Sequence, residues 1–203
     1  IHVSAKHLLE IINEVLDMSK IEAGRVELDE EQFDMLRLIN AVSRMMASRA
    51  FSSGLEIVED VDETLPPIYA DPRLMRQILI NLVGNAVKYS KTNGKIFIRA
   101  ARSSSNGLQI IVEDEGIGIP KERLNEALEP FGQINGPHDA SGVQGTGLGL
   151  PIAKAMAELH GGTLALESDS GKGTKVIIEL PAFRVSKSNP NKSPMQALVE
   201  GKS

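Results

Sequence analysis

Residues 71–89, with the sequence DPRLMRQILINLVGNAVKY, decide the fold of this chain. Asp71-Pro72 joins a residue that caps helices to a proline suited to the first helical turn, so a helix is predicted to begin there. At 100° per residue, one side of this helix is apolar and consists of Met75, Ile78, Leu79, Leu82, Val83 and Ala86. Asn81, Asn85 and Lys88 follow one another along the other side at spacings of four and three.

This polar stripe of Asn81, Asn85 and Lys88 carries the first chemical signal. Asparagine is a poor helix former, and two aligned asparagines cost helix propensity without a gain in packing. The carbonyl oxygen of an asparagine suits Mg²⁺, and a lysine supplies a point charge for phosphate. From these residues alone, a solvated helix face remains the alternative.

A second signal ends the strand predicted over Leu108–Asp114. The inward face of that strand is apolar: Leu108, Ile110 and Val112. Asp114 falls on the same face, and an inward carboxylate needs a donor such as the exocyclic amine of a bound base. Gly116 and Gly118 then allow the backbone to approach a flat ligand closely. The same composition is also common in ordinary turns.

A third signal is Gly145-Thr146-Gly147-Leu148-Gly149-Leu150, directly before a helix predicted from Leu148 to about His160. Alternating glycines before a helix present amide groups and a partial positive charge to phosphate. No strand precedes the segment and no Lys-Ser/Thr pair follows it, which excludes the dinucleotide fingerprint and the P-loop. The preceding Gly132–Gln144, with few large aliphatic residues, is predicted to be a mobile lid.

The remaining segments predict an α+β fold. Further helices are predicted over 1–23, Met35–Ala50 and Glu122–Leu128, and strands over Arg25–Leu28, Leu55–Val61, Lys95–Arg102, Thr163–Glu167 and Lys175–Leu180. Two hairpins and segregated helices favour an antiparallel or mixed sheet covered on one face. The helix over 1–23 has an apolar stripe that must pack on the following domain or form a bundle.

Composition limits the classes of function. Aromatic residues make up 3% of the chain and the net charge is −5, which disfavours a nucleic-acid binder. The absence of cysteine excludes a disulfide framework, a thiolate metal site and a cysteine nucleophile. No run of 18 apolar residues and no signal pattern occur, so we expect a cytoplasmic chain, attached to a membrane only through parts outside it. Ile1 stands where an initiator Met would stand, so we expect a piece of a longer protein.

Five motifs, in this order, resemble those of sensor histidine kinases. They are Asn81–Tyr89 (the N box), Asp114–Gly118 (the first glycine box), Pro130-Phe131 (the phenylalanine box), Gly145–Gly149 (the second glycine box) and Gly171–Thr174 (the glycine-threonine motif). The resemblance implies a Bergerat-fold α/β sandwich, a mixed sheet covered by helices, with an N-terminal amphipathic bundle helix. It implies three parts: 1–23 is the second helix of the dimerisation and histidine-phosphotransfer domain, 24–183 the catalytic ATP-binding domain, and 184–203 a disordered polar tail.

The resemblance also implies a binding site for ATP and Mg²⁺. Asn85 would be the main Mg²⁺ ligand, Asn81 a helper on the phosphate side and Lys88 a phosphate contact. Tyr89 would flank the nucleoside, and Asp114 would accept from the adenine amine with help from Thr174. The site would further include Gly116, Gly118 and Ile119, and the backbone wrapping the phosphates at Gly145, Thr146, Gly147, Leu148 and Gly149.

The activity that the resemblance implies is transfer of the ATP γ-phosphate to a histidine, for relay to an aspartate of a response regulator. Homodimerisation through the phosphotransfer helices would accompany it. Related ATPases of the gyrase and heat-shock branches place a glutamate at position 81, and asparagine cannot act as a general base, so hydrolysis should be slow. None of His2, His7 and His160 precedes an acidic residue, and His138 lies in a Gly/Pro loop, so we expect the acceptor upstream of Ile1. A degenerate kinase that works as a nucleotide- or partner-binding module is the alternative.

Overall fold

The computed structural model describes residues 2–132 and 146–185. The helices are α1 (His2–Glu22), α2 (Met35–Ser52), α3 (Pro72–Tyr89), α4 (Leu124–Ala127) and α5 (Gly149–Leu159). The strands are β1 (Glu31–Phe33), β2 (Glu56–Val61), β3 (Ile68–Ala70), β4 (Lys95–Arg102), β5 (Leu108–Asp114), β6 (Thr163–Asp169) and β7 (Gly173–Leu180). Short 3₁₀ turns lie at Lys121–Arg123 and Ala182–Arg184.

Five strands form one mixed sheet in the order β2-β4-β5-β7-β6. β2 pairs with β4 in parallel, and the other neighbours are antiparallel, including the two predicted hairpins. One face is covered by α2, α3 and α5 over aliphatic side chains such as Ile98, Ile110 and Ile178, which are fully buried. The opposite face carries polar pairs, among them Gln109 with Glu179 at 2.9 Å and Lys175 with Glu167 at 2.9 Å. The predicted α+β class with a sheet covered on one face is confirmed.

The strand predicted over Arg25–Leu28 is wrong. That segment has no regular secondary structure, and the strand in this region is β1, which pairs with β3 after the two prolines. Gly24, with φ +61°, ends α1. The backbone amide of Asp29 then donates to the Asp71 carboxylate at 3.0 Å. This long-range hydrogen bond, and not pairing with a strand, fixes the position of the segment.

A buried polar cluster joins the N-terminus of α3 to the C-terminus of α5. Asp71 caps α3 as predicted, and its backbone N–H donates to Nε2 of the fully buried His160 at 3.1 Å. Burial lowers the pKa of His160, and its Nδ1 lies 2.7 Å from the Met156 carbonyl oxygen. Arg184 donates to the His160 carbonyl at 3.0 Å and bonds the Glu30 carboxylate.

The position of Arg184 corrects the boundary of the predicted tail. The predicted disordered segment begins at Arg184, yet Arg184 and Val185 are both buried. The guanidinium of Arg184 donates to the His160 carbonyl in the cluster just described. The packed part of the chain therefore extends to Val185. The remainder of the predicted tail, 186–203, lies outside the described residues.

Helix α1 packs one side against α5. Met18 and Ile21 contact the core there, whereas Leu8, Ile12, Val15 and Leu16 are exposed. The amphipathic helix predicted over 1–23 is therefore confirmed as a helix. Part of its apolar stripe lies on the domain, and another part faces solvent. In the segments that the structure describes, no helix is long and apolar enough to cross a membrane.

Candidate functional site

The two asparagines of the polar stripe face the N-terminus of α5. The side-chain nitrogen of Asn81 donates to the Gly149 carbonyl at 3.3 Å, and its oxygen accepts from Gln77 at 3.1 Å. A side chain at Gly149 would lie 3.5 Å from the amide nitrogen of Asn85. The sequence placed these residues on two separate segments, and the fold brings them into one site.

Among the residues that the structure describes, no side chain caps the N-terminus of α5. Leu148 occupies the capping position and is fully buried, while its own amide donates to the Thr146 hydroxyl at 3.2 Å. Within the described residues, no side chain bonds the first-turn amides of this 11-residue helix, an arrangement that suits an anion. Gly147 has φ +71° and packs against the backbone of Phe131. Gly145 and the greater part of the predicted lid, residues 133–144, lie outside the described residues.

The C-terminal end of α3 presents a cation beside an exposed ring. The Lys88 ammonium donates to the Tyr89 hydroxyl at 2.7 Å and lies 4.5 Å from the centre of the ring. Tyr89 is exposed and Lys88 is half-buried. The pair lies at the rim of the site beside the first glycine box, where the Ile117 amide donates to the Tyr89 carbonyl at 3.2 Å.

Asp114 lies at the end of β5 and is 9% exposed. Its Oδ1 accepts from the backbone amides of Gly116 at 2.8 Å and Thr174 at 3.3 Å. Burial raises the pKa of this carboxyl to about 6, although the two amide hydrogen bonds work against it. Because both bonds fall on Oδ1, Oδ2 is the oxygen that can accept from a ligand.

The first glycine box is pressed against the turn between β6 and β7. A Cβ at Gly118 would lie 1.9 Å from the Asp169 carbonyl oxygen, and a Cβ at Gly116 would lie 2.3 Å from that of Tyr89. The backbone amide of Ile119 donates to the Ser168 hydroxyl at 2.7 Å. The sequence predicted the glycines and Ile119 but missed Ser168, because nothing near it in the chain marks it. The predicted strands end at Glu167 and begin again at Lys175, and only the structure pairs Ser168 with Thr174.

The raised pKa of Asp114 predicts a pH dependence. Between about pH 4 and 6 the folded chain holds a proton that the unfolded chain has released, so this group lowers stability as the pH rises. The ionised carboxylate is the better acceptor, so the affinity for an adenine nucleotide should rise through about pH 6 and then level off.

Asp114→Asn is the matched control for that titration, since its amide does not ionise. Calorimetry from pH 5 to 8 should give a ratio of wild-type to variant ATP affinity that rises with pH. Taking the ratio removes the effect of the titration of ATP itself, because both proteins bind the same ligand. A constant ratio across this range would contradict the role of the carboxylate. We also expect the variant to discriminate less between ATP and GTP.

The site thus combines two chemical characters. At one end, the Lys88 ammonium and the free amides of α5 suit a polyanion. At the other end, a buried carboxylate beside close-packed glycines suits a flat ring that carries a donor. The amides of Asn81 and Asn85 stand between them, so the arrangement can hold an adenine nucleotide along its length.

Residues 70–184 match the family described as histidine kinase-, DNA gyrase B-, and HSP90-like ATPases. The chain belongs to this ATPase family. The matched segment contains all the described site residues, from Asn81 to Thr174. The site therefore belongs to an ATP-binding domain, in agreement with the two chemical characters just described.

Relatives place this ATPase-family chain among the sensor histidine kinases. It is 41% identical over 182 residues to an uncharacterized sensor-like histidine kinase of Rhizobium meliloti, covering 90% of this chain and 34% of that protein. It is 40% identical over 187 residues to the histidine protein kinase DivJ of Caulobacter vibrioides, covering 90% of this chain and 30% of that protein. The chain spans about a third of the length of these relatives and corresponds to their catalytic region.

Solved structures agree with this assignment. Full-length ShkA in complex with AMPPNP superposes with a TM-score of 0.78 at 32% identity, over 88% of this chain and 36% of that one. The nucleotide-free catalytic domain of the histidine kinase ThkA gives a TM-score of 0.65 at 29% identity, over 77% and 97% of the two chains. The fold expected from the resemblance is therefore confirmed as that of a histidine kinase catalytic domain.

Proposed function

We propose that this chain binds Mg²⁺-ATP and transfers the γ-phosphate to a histidine of a dimerisation hairpin. The observation that carries the proposal is the juxtaposition of the α3 asparagines with the uncapped N-terminus of α5. Phosphoryl transfer depends mainly on positioning and on neutralising charge, which these groups can supply to a triphosphate.

The chemistry of the α3 donors supports a Mg²⁺ ion held together with the triphosphate. In the described parts of the chain, no group of three or more His, Cys, Asp or Glu residues could hold a metal on its own. Neutral amide oxygens combined with phosphate oxygens are a donor set that Mg²⁺ accepts. We assign Asn85 as the protein ligand, because Asn81 already bonds Gln77 and Gly149 and is thereby suited to orient α5. The bound ion would neutralise charge on the phosphates.

Residue chemistry favours transfer to a protein side chain over hydrolysis. Asparagine at position 81 cannot take a proton from water, so a strong ATPase activity is not expected. His160 is unsuited as the acceptor, since it is fully buried and both ring nitrogens face backbone partners. We therefore propose that the acceptor histidine lies on a hairpin helix outside this chain.

The exposed stripe of α1 supports a dimer through the phosphotransfer helices. Leu8 and Leu16 are 58% and 50% exposed, and exposed apolar stripes of this kind are typical of helix–helix interfaces. We propose that residues 1–23 belong to the dimerisation domain and that the catalytic domain, predicted over 24–183, extends to Val185. An aspartate of a response regulator receiver domain would take the phosphoryl group in turn, in the cytoplasm where ATP is available.

The remaining site residues are assigned to the two ends of the nucleotide. Lys88 and the backbone of Gly145, Thr146, Gly147, Leu148 and Gly149 would contact the phosphates. Asp114 would accept from the adenine amine with Thr174 beside it, in a pocket formed with Gly116, Gly118 and Ile119. Tyr89 would flank the nucleoside. The names of the relatives do not favour the alternative of a degenerate, partner-binding module.

The test is phosphoryl transfer to a supplied hairpin. The chain is incubated with radiolabelled ATP, Mg²⁺ and the complete dimerisation hairpin of a related histidine kinase. We expect acid-labile, base-stable label on the hairpin and none on the chain alone. A hairpin whose acceptor histidine is replaced by glutamine is the control. Tight ATP binding without any labelling would move the assignment to the degenerate module.

Asn85→Ala should weaken Mg²⁺-ATP binding at least tenfold, about 1.4 kcal/mol, because it removes the oxygen that would replace a water on the metal. Asn40→Ala, on α2, is the matched control and should leave the affinity unchanged. Calorimetry with and without Mg²⁺ measures the effect. Equal weakening in the presence and in the absence of Mg²⁺ would contradict the assignment of Asn85 as a metal ligand.

A further inference from the structure

The Ser168 hydroxyl on β6 lies behind the base end of the site, at the meeting point of three other segments. It accepts from the backbone amide of Ile119 at 2.7 Å and donates to the Gly173 carbonyl at 2.6 Å. It also lies 3.1 Å from the hydroxyl of Thr174, its partner in the β6–β7 ladder. One small side chain thereby joins the first glycine box to the strand that bonds Asp114.

Counting protons fixes the direction of the Ser168–Thr174 bond. A serine hydroxyl has one proton and two lone pairs. The proton of Ser168 is used by the Gly173 carbonyl, and one lone pair is used by the Ile119 amide. The remaining lone pair can only accept, so the Thr174 hydroxyl is the donor in this pair. Thr174 therefore has lone pairs, and no proton, left for a ligand.

The other polar group at this end has the same character. Oδ1 of Asp114 accepts from the backbone amides of Gly116 and Thr174, which leaves Oδ2 as a further acceptor. The pocket thus offers two acceptors and no side-chain donor from Asp114 and Thr174. A purine with an amine at position 6 can donate to these acceptors, whereas a purine with an oxygen there presents a lone pair to them and has only N1–H as a donor at this edge. Such unpaired buried polar groups are costly.

We propose that Ser168 is a positioning residue that sets the hydrogen-bond polarity of the base pocket, and thereby selects 6-amino over 6-oxo purine nucleotides. It acts through Thr174, whose proton it accepts. The proposal rests on the proposed function, because it assumes that the nucleotide base lies beside Asp114. It goes further in assigning the selection to a residue outside the motifs.

The experiment compares ATP with inosine triphosphate, which has an oxygen in place of the amine at position 6 and a proton on N1. Calorimetry is carried out with the full chain and Mg²⁺ for wild type, Ser168→Ala, Ser168→Thr and the double variant Ser168→Ala/Thr174→Val. We expect wild type to prefer ATP at least tenfold. Ser168→Ala frees the Thr174 proton to donate to the oxygen, so the preference should fall about fivefold to tenfold, mainly through tighter binding of inosine triphosphate.

Two variants separate this role from a structural one. Ser168→Thr keeps the hydroxyl and should keep the wild-type preference. The double variant lacks the freed proton, so it should not gain affinity for inosine triphosphate. If Ser168→Ala weakens both nucleotides equally, Ser168 is merely structural and the proposal is overturned.

Wild type gives a test that needs no variant to fold. Equal affinity of the unaltered chain for ATP and inosine triphosphate would overturn the proposed polarity while leaving the nucleotide site in place. Binding of neither nucleotide would overturn the proposed function, and this proposal with it.

Discussion

Asp71→Ala is expected to lower the free energy of unfolding by roughly 3 kcal/mol. The carboxylate is fully buried and accepts from the backbone amides of Asp29, Arg73 and Leu74 at 3.0, 2.9 and 3.3 Å. Losing a helix cap costs about 1 kcal/mol, and each buried donor left without a partner adds roughly 1 kcal/mol or more. Denaturant unfolding measures the change.

Asp34→Ala is the matched control, because Asp34 caps α2 through the same chemistry at an exposed position. Its carboxylate accepts from the Arg37 amide at 3.2 Å and remains accessible to water. Its loss should cost about 1 kcal/mol or less. Equal losses in the free energy of unfolding for the two variants would show that the contact of Asp71 with the Asp29 amide contributes nothing.

The contribution of Asp71 should also depend on pH. Burial works to raise the pKa of its carboxyl, but the Arg73 side chain and the backbone amides outweigh this and hold the pKa below its usual value. The folded pKa is therefore lower than the unfolded one, so the stabilisation is complete above about pH 4 and declines below it. The difference between wild type and Asp71→Ala should shrink accordingly in acid.

Gly118→Ala is expected to destabilise the chain by about 2–5 kcal/mol and to weaken ATP binding more than tenfold. A Cβ there would lie 1.9 Å from the Asp169 carbonyl oxygen, and the backbone has φ +67°. A positive φ costs an alanine roughly 1–2 kcal/mol, and overpacking adds about 1–3 kcal/mol. Relief would require the β6–β7 turn to move, and with it the strand that bonds Asp114.

Gly84→Ala tests the same substitution in a place where it should help. Gly84 lies inside α3, no neighbouring atom lies within 4 Å of a Cβ there, and its φ is not positive. Alanine in a helix interior is favoured over glycine by up to about 1 kcal/mol, so the variant should unfold at a higher temperature than wild type. Thermal unfolding and ATP calorimetry on both variants decide. Equal losses at positions 84 and 118 would contradict the steric reason given for Gly118.

The polar residues of the candidate site could be predicted from the sequence because each group of them lies within a single helix or strand. Asn81, Asn85 and Lys88 share one side of a single helix, and Asp114 follows the parity of a single strand. The same locality explains why the helices α2, α3 and α5 and the two hairpins were predicted within a few residues of their ends. Periodicity of 3.6 or 2 residues is visible without knowing any partner.

The errors lie where two distant segments share polar groups. β1 and β3 have three residues each, too few to show a period in the sequence, so their pairing depends on the neighbouring segments that hold them. The Asp29 amide reaches Asp71 across 42 residues, and Arg184 reaches Glu30 across 154. These contacts keep residues 25–30 outside any sheet. They also bury Arg184, which the composition of the C-terminal segment assigns to the tail.

The sequence by itself determined the order of the elements, the apolar sides that form the core and the motif residues of both ends of the site. Only the tertiary structure decided which amides face the α5 N-terminus, which groups surround His160 and which side chain joins the first glycine box to the β6–β7 turn. Ser168 contacts Ile119 across 49 residues, and no local pattern encodes that contact. The physical reason is that periodicity depends on a residue's own neighbours, whereas the direction of a hydrogen bond depends on every partner present in the folded chain.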